Sequence, residues 1–223
     1  MLRLAAWLFL FTLSSCATDP DPACQSLLAS PPKDWSTTLA PVTAIGHRAV
    51  PALIRALHAS PGAPGEQAAI AALSTFKHPR TRPFLENYLR DGGAQASEAA
   101  LSLGRLGDSR SRPLLDELCR NTKLDGELRT AAACALLDLG ETHTSLPFLR
   151  AVLLAATPAG QELGEQLGLS KNKVRWAHER YMVITAIARY TGGETFGLDT
   201  DASWPALEAG ARAFIEHVKA KGR

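Results

Sequence analysis

"LGRLGDSRSRPLLDEL", residues 103–118, compresses the end of one helix, a turn and the start of another into sixteen residues. Gly107 stands where a helix can leave through a left-handed C-terminal residue, and Asp108 or Ser109 where the next helix needs an N-cap. Pro113 falls in or near the first turn of that next helix, where the missing N–H costs least. The Leu-x-x-Leu spacing on either side of the turn gives each helix an apolar stripe. Two such helices joined by a short turn cannot bury their stripes alone.

The same unit recurs. "VPALIRAL" (50–57), "RPFLENYL" (82–89), "RPLLDELC" (112–119) and "LPFLRAVL" (146–153) place Pro51, Pro83, Pro113 and Pro147 at intervals of 32, 30 and 34 residues. Two residues beyond each proline stand Leu53, Leu85, Leu115 and Leu149, and six beyond stand Leu57, Leu89, Cys119 and Leu153. Positions one and five beyond are apolar too, so a single face results at 3.6 residues per turn. An alanine-rich partner precedes each of the later three copies: "EQAAIAALSTF" (66–76), "ASEAALSLGRL" (96–106) and "RTAAACALLDL" (129–139). Small Ala69, Ala99 and Ala132 allow close helix approach. A period near thirty with two helical patterns in each period predicts a stacked solenoid.

These residues resemble the HEAT-repeat family, in particular its short phycobilin-lyase-type repeat, over about residues 40–155. The resemblance implies an all-α fold, an α-solenoid of stacked HEAT-like helical hairpins. Two copies depart from the pattern at the turn: Phe76-Lys77-His78-Pro79 replaces Leu-Gly-Asp, and Glu141 replaces Asp. Beyond the repeats, "KVRWAHERYMVITAIARY" (173–190) predicts a long helix with Val174, Ala177, Tyr181, Ile184 and Ala188 on one side. "TGGETFGLDTDAS" (191–203) predicts a glycine-rich turn, and Ser203-Trp204-Pro205 the start of a last, capping helix bearing Leu207, Ala211, Phe214, Ile215 and Val218. Thr191, Gly192, Phe196 and Gly197 are similar to a closure that follows HEAT arrays in some bacterial proteins.

At the other end, Arg3 is followed by the uncharged "LAAWLFLFTL" (4–13) and then "LSSC" (13–16). That is the order of a secretory signal, and ten apolar residues in a helix reach about 15 Å, roughly half a bilayer core. Leu13-Ser14-Ser15-Cys16 resembles the lipobox of bacterial lipoproteins, which implies cleavage before Cys16 and its acylation. The expected organisation is a signal peptide over 1–16, a proline-rich tether over 17–33 in which "CQSLLAS" makes one helical turn at most, HEAT-like repeats over 34–160, and an irregular last repeat with its cap over 161–223.

The chain has 24 basic and 22 acidic residues; without Arg3 the balance is 23 to 22, too even to gather a polyanion. "GEQLGLSKNKVRWA" (164–177) has the spacing of a DNA-reading helix-turn-helix. Residues 160–180, however, carry four basic side chains against three acidic ones, short of the excess that phosphate contacts need. It reads as a junction between repeats, and Lys171 and Lys173 mark the break in register. Cys24, Cys119 and Cys134 read as buried apolar residues, and hairpin geometry disfavours a Cys119–Cys134 disulfide. The histidines lack metal-ligand spacing. Asp199-x-Asp201-x-Ser203 starts like a calcium loop but has Trp204 at the glycine position, so capping is the expected role. Phosphate-loop, serine-elbow and paired-carboxylate motifs are missing, and no cofactor is expected.

Polar positions three, four and seven beyond the prolines supply Arg55, Glu86, Arg90, Asp116, Glu117, Arg120 and Arg150, which the family resemblance places on the concave side as a binding stripe. The function expected is that of a lipoprotein, anchored through Cys16 on the periplasmic side or cell surface, whose solenoid is a scaffold for a protein partner. The alternatives are a lyase-like enzyme on the same scaffold and, third, DNA binding.

Overall fold

The alanine and proline columns of the repeat become two layers of helices. The computed structural model describes residues 20–29, 35–155, 158–167, 169 and 173–221, and these are helical with no strand among them. In order the helices are α1 (Pro20–Ala29), α2 (Trp35–Ile45), α3 (Ala49–Ala59), α4 (Glu66–Thr75), α5 (Thr81–Arg90), α6 (Ala96–Leu106), α7 (Arg112–Arg120), α8 (Gly126–Asp138), α9 (Thr142–Leu153), α10 (Pro158–Gln166), α11 (Lys173–Thr191) and α12 (Trp204–Lys221). Alanine-rich α4, α6 and α8 stack side by side, α11 continues that layer against α8, and proline helices α5, α7 and α9 form the other layer. The fold is an α-solenoid of HEAT-like hairpins, with α12 closing it against α9.

The turns show why three unlike sequences make one joint. Gly107 ends α6 at φ +75°, and the Asp108 carboxylate accepts the Arg110 N–H at 3.1 Å. Between α8 and α9, Gly140 has φ +77° and the Glu141 carboxylate accepts the His143 N–H at 3.2 Å. Between α4 and α5, Phe76 leaves the helix extended, and Nδ1 of His78 accepts the Arg80 N–H at 3.1 Å. Carboxylate and imidazole thus satisfy the same exposed donor, two residues on, so the departures at residues 76–79 and 141 leave the architecture intact.

The predicted core columns are buried. Leu53, Leu85, Leu115 and Leu149 are at most 1% exposed, and Leu57, Leu89, Cys119 and Leu153 at most 6%. Each leucine so covered contributes on the order of 2 kcal/mol. Between the layers, Arg129 of α8 is itself buried; it donates from Nε to the Cys119 carbonyl at the end of α7 (3.0 Å) and lies 5.0 Å from the Phe148 ring. All three described cysteines are buried thiols.

Three expectations are corrected. The segment read as tether contains a ten-residue helix, α1, and Cys24, Leu27 and Leu28 are buried against α3 and α4. Pro20 and Pro22 sit in its first turn, where proline is tolerated, and their density masked the apolar turn behind them. The Gly65 N–H donates to the Leu28 carbonyl at 3.1 Å, and a Cβ on Gly65 would stand 1.8 Å from the Leu27 oxygen, so the chain entering α4 has to be glycine there. Pro147 is the sixth residue of α9, past its first turn, because Glu141 starts that helix earlier than the other proline helices. Finally, α11 buries Met182, Val183, Ala186 and Ile187, while Tyr181 is 60% exposed. Both sides of α11 carry apolar residues, and packing on α8, fixed by Arg189 donating to Asp138 at 2.8 and 3.2 Å, selects the one that periodicity passed over.

The closest helix approach is between α6 and α8. A Cβ added to Gly104 would lie 2.6 Å from the Ala135 Cα and 2.9 Å from its Cβ. Gly104→Ala gains about 1 kcal/mol of helix propensity and loses about 1–3 kcal/mol to overpacking of backbone that cannot yield. The variant is expected to unfold at lower urea concentration than the parent with an unchanged m-value; a higher midpoint would show that the two helices can separate freely.

Candidate functional site

Placed on the structure, the polar stripe divides. Arg55, Arg90, Glu117, Arg120 and Arg150 are exposed, Asp116 is half-buried and Glu86 is buried. Arg82 Nη1 donates to both Glu86 oxygens at 2.9 Å, the Ser111 hydroxyl donates to Glu86 Oε1 at 2.9 Å, and Arg90 lies 3.9 Å away. Arg82 also reaches Asp108, 3.3 Å. One repeat on, Thr144 donates to Asp116 at 2.7 Å, Arg120 pairs with Asp116 at 2.9 Å, and Arg120 Nη2 donates to the Thr144 hydroxyl oxygen at 3.0 Å. Two acids of the stripe therefore reach the following repeat, Glu86 of α5 to Ser111 before α7 and Asp116 of α7 to Thr144 of α9. Sequence reasoning saw the column and missed that its partners come from the following repeat.

Asp108 shows the electrostatics of this layer. Hydrogen bonds from Arg110, reinforced by the Arg110 and Arg82 charges, hold its carboxyl down at about 2.

The recess nearest to a binding site lies on the other layer. Side chains of α4, α6, α8 and α11 line a groove of about 280 Å³. The alanine-rich layer is the more closely packed of the two, with α6 and α8 meeting at Gly104 and Ala135. The groove thus lies on the face built by α4, α6, α8 and α11, and the proline helices carry the expected stripe on the other layer.

Within the groove, Arg105 donates to Glu98 at 2.7 Å, His178 stands 3.9 Å from Glu127, and Arg189 is engaged with Asp138. Burial pushes the Asp138 carboxyl up, against the pull of Arg189 and Arg105. Gln67, Gln95, Ser97 and Thr185 supply amide and hydroxyl groups to the lining, and Tyr181 rises from its wall. A signal for this face existed in the sequence: Glu98 and Arg105 are seven residues apart, on one side of α6.

A second recess of about 510 Å³ opens between α3 and α5, lined by Ile54, Leu57, His58, Pro83, Phe84 and Tyr88. His58 stacks edge-on to Phe84 at 5.3 Å. The Tyr88 hydroxyl donates to buried Glu66 at 2.9 Å and accepts the Gln95 N–H at 3.0 Å. Burial first, then Glu66, drives its phenol up to about 12, so it stays protonated and bridges repeats.

Other sequence candidates resolve separately. Cys16 and Lys171 lie outside the described residues. Of the helix-turn-helix candidate, α10 packs on α9 and α11 occupies the layer beside α8. Asp199 and Asp201 lie in the loop before α12, where the Asp199 carbonyl accepts the Ala202 N–H at 3.3 Å. Among the described residues no group of three or more His, Cys, Asp or Glu is arranged to hold a metal.

The stripe's two kinds of residue should separate in stability. Glu86→Ala removes a buried acceptor of two hydrogen-bond partners and is expected to cost roughly 2–3 kcal/mol, whereas exposed Glu117→Ala stays within about 0.5 kcal/mol. Chemical denaturation of the two variants checks this; equal midpoints would mean that the Glu86 ties add nothing net.

Residues 96–121, from the start of α6 to one residue past α7, match the family model described as PBS lyase HEAT-like repeat. Neither the curated proteins nor the solved structures give a match. The matched segment is the hairpin carrying the Gly107-Asp108 joint, and a similar hairpin recurs along the array, so the chain contains a HEAT-like repeat within an α-solenoid.

Proposed function

We propose that the protein is a bacterial lipoprotein, anchored through Cys16 and exposed on the periplasmic side or cell surface, whose solenoid holds a protein partner in the groove of α4, α6, α8 and α11. Tyr181 is the observation that carries the reading. It is one of two large hydrophobic side chains exposed among the described residues, it is 60% exposed, and it stands in the groove wall. Aromatic side chains ringed by polar groups are the usual energetic anchors of protein interfaces.

The surrounding charges favour a polypeptide over a polyanion. The groove's arginines are engaged by Glu98 and Asp138, so the face presents amides, hydroxyls and one ring, with no cationic excess. Extended peptides are read through such alternating polar and apolar contacts. The anchor rests on the lipobox resemblance; no helix among the described residues is long and apolar enough to cross a membrane.

The lyase-like alternative takes its support from the family's name and needs an acid or base free to exchange protons in a recess. Glu98 and Asp138 are instead held by cations, and Tyr88 is held protonated. The scaffold reading is the better supported.

Affinity capture of the lipoprotein from native membranes, followed by mass spectrometry, tests both halves. Tyr181→Ala is expected to reduce partner recovery about tenfold, from loss of one interface anchor, with little change in melting temperature because the ring is exposed. Arg90→Glu with Arg120→Glu is expected to leave recovery unchanged; the reverse pattern would return the binding face to the proline helices. Cys16→Ser is expected to move the protein from the membrane to the soluble fraction, and its retention in the membrane fraction would sink the anchor.

A further inference from the structure

Two large hydrophobic side chains are exposed among the described residues, and only Tyr181 stands in the groove. The other, Trp204, is 51% exposed at the first position of α12, with Ser203, Pro205 and Ala206 exposed beside it. Its surroundings are acidic. Residues 190–211 contain Glu194, Asp199, Asp201 and Glu208, all exposed, and no lysine or arginine. Arg180 reaches this loop from α11, donating to the Thr200 carbonyl at 3.0 Å and interacting with the Asp201 charge. Glu194, Asp199 and Glu208 make no ion pair among the described residues.

The recess between α3 and α5 has the complementary character. Its volume is about 510 Å³, and Phe84, Tyr88, Leu57 and the exposed Pro79 and Pro83 give it an apolar wall. Aromatic and proline side chains are a surface on which an indole packs, and tryptophan is among the residues that most often anchor interfaces. The approach to this wall is basic: residues 67–85 contain Lys77, Arg80 and Arg82 and no carboxylate. Arg82 is committed to Glu86 and Asp108, whereas Lys77 and Arg80 are exposed and make no ion pair among the described residues. Of the two carboxylates in the lining, Glu66 is buried and held by the Tyr88 hydroxyl and the Gly62 N–H, and Asp91 lies past the end of α5 opposite to Arg80.

We propose that Trp204 of one copy seats in the α3–α5 recess of a second copy, with the acidic loop around Trp204 facing Lys77 and Arg80. The contact does not close within one chain, because α12 packs on α9, two proline helices along from α5. The two surfaces differ, so the contact is heterologous and repeats from copy to copy as a ring or an open row. Burial of the indole supplies the affinity, and the opposed charges fix the register and speed the encounter. The inference depends neither on the anchor nor on a partner in the Tyr181 groove.

The test uses the purified full-length protein in detergent, with sedimentation velocity over a range of concentrations to give the strength of self-association. Trp204→Ala is expected to weaken it about thirtyfold, the loss of one interface anchor. Lys77→Glu with Arg80→Glu, and separately Asp199→Lys with Glu208→Lys, are each expected to associate about tenfold more weakly alone. Mixed together, the two charge variants are expected to associate again, a recovery that misfolded protein does not give, and circular dichroism checks the fold of each. A photo-crosslinking amino acid in place of Asn87, an exposed lining residue of the recess, is expected to join the peptide containing Trp204, and mixing isotope-labelled with unlabelled protein shows that the link is between copies. A protein that stays monomeric at every concentration, or association unchanged in Trp204→Ala, overturns the proposal. So does a crosslink from Asn87 to a different protein or to another segment of the second copy.

Discussion

The structure depends on how closely its alanine-rich helices can approach. Gly104 lies so near Ala135 that a single added carbon would overlap backbone, and around it Ala99, Ala100, Ala131 and Ala132 are fully buried. Small side chains let two helix backbones come together, so dispersion between main chains replaces the interdigitation of large residues. This layer sets the spacing of the array. The bulkier leucines and phenylalanines of the proline helices fill what remains between the layers.

Packing distance explains why chemistry divides between the two faces. On the other layer the proline helices stand far enough apart to need side-chain bridges: Glu86 to Ser111 and Arg82, Asp116 to Thr144 and Arg120. These groups are polar because they span a gap, and being engaged they are poor candidates for recognition. On the alanine-rich layer the backbones already touch, and polar side chains at the rim are left to line a groove. Tyr181 is exposed there because α11 spends its other face on α8. The same array thus yields one polar face of bridged side chains and another that lines a groove.

The ends of the solenoid follow from the need to cover a repeat that has one neighbour too few. At the C-terminal end, α12 lays Leu207, Ala211, Phe214 and Val218 on the array. Phe196, at φ +56°, brings its ring to 5.9 Å from Phe214 and 5.3 Å from His217. At the N-terminal end α1 does the covering, with Cys24, Leu27 and Leu28. A segment whose prolines suggested a flexible spacer is a structural cap.

Periodicity determined the helical repeat, its hairpin architecture and the leucine columns at two and six residues beyond each proline, because burial at fixed spacing is a local property of each helix. Turn chemistry was legible where Gly107 and Asp108 sit side by side, and even His78 and Glu141 deliver the same capping bond by other means. What the sequence left open was every choice between two acceptable faces. Glu86 is as polar as Glu117, and only the approach of Ser111 from the next repeat buries one and leaves the other in water. Tyr181 and Met182 are adjacent on a helix that is apolar on both sides, and the packing of α11 on α8 sends one out and the other in. How closely neighbouring repeats approach was likewise decided by the contact of Gly104 with Ala135, since that approach is a relation between repeats and no single repeat encodes it.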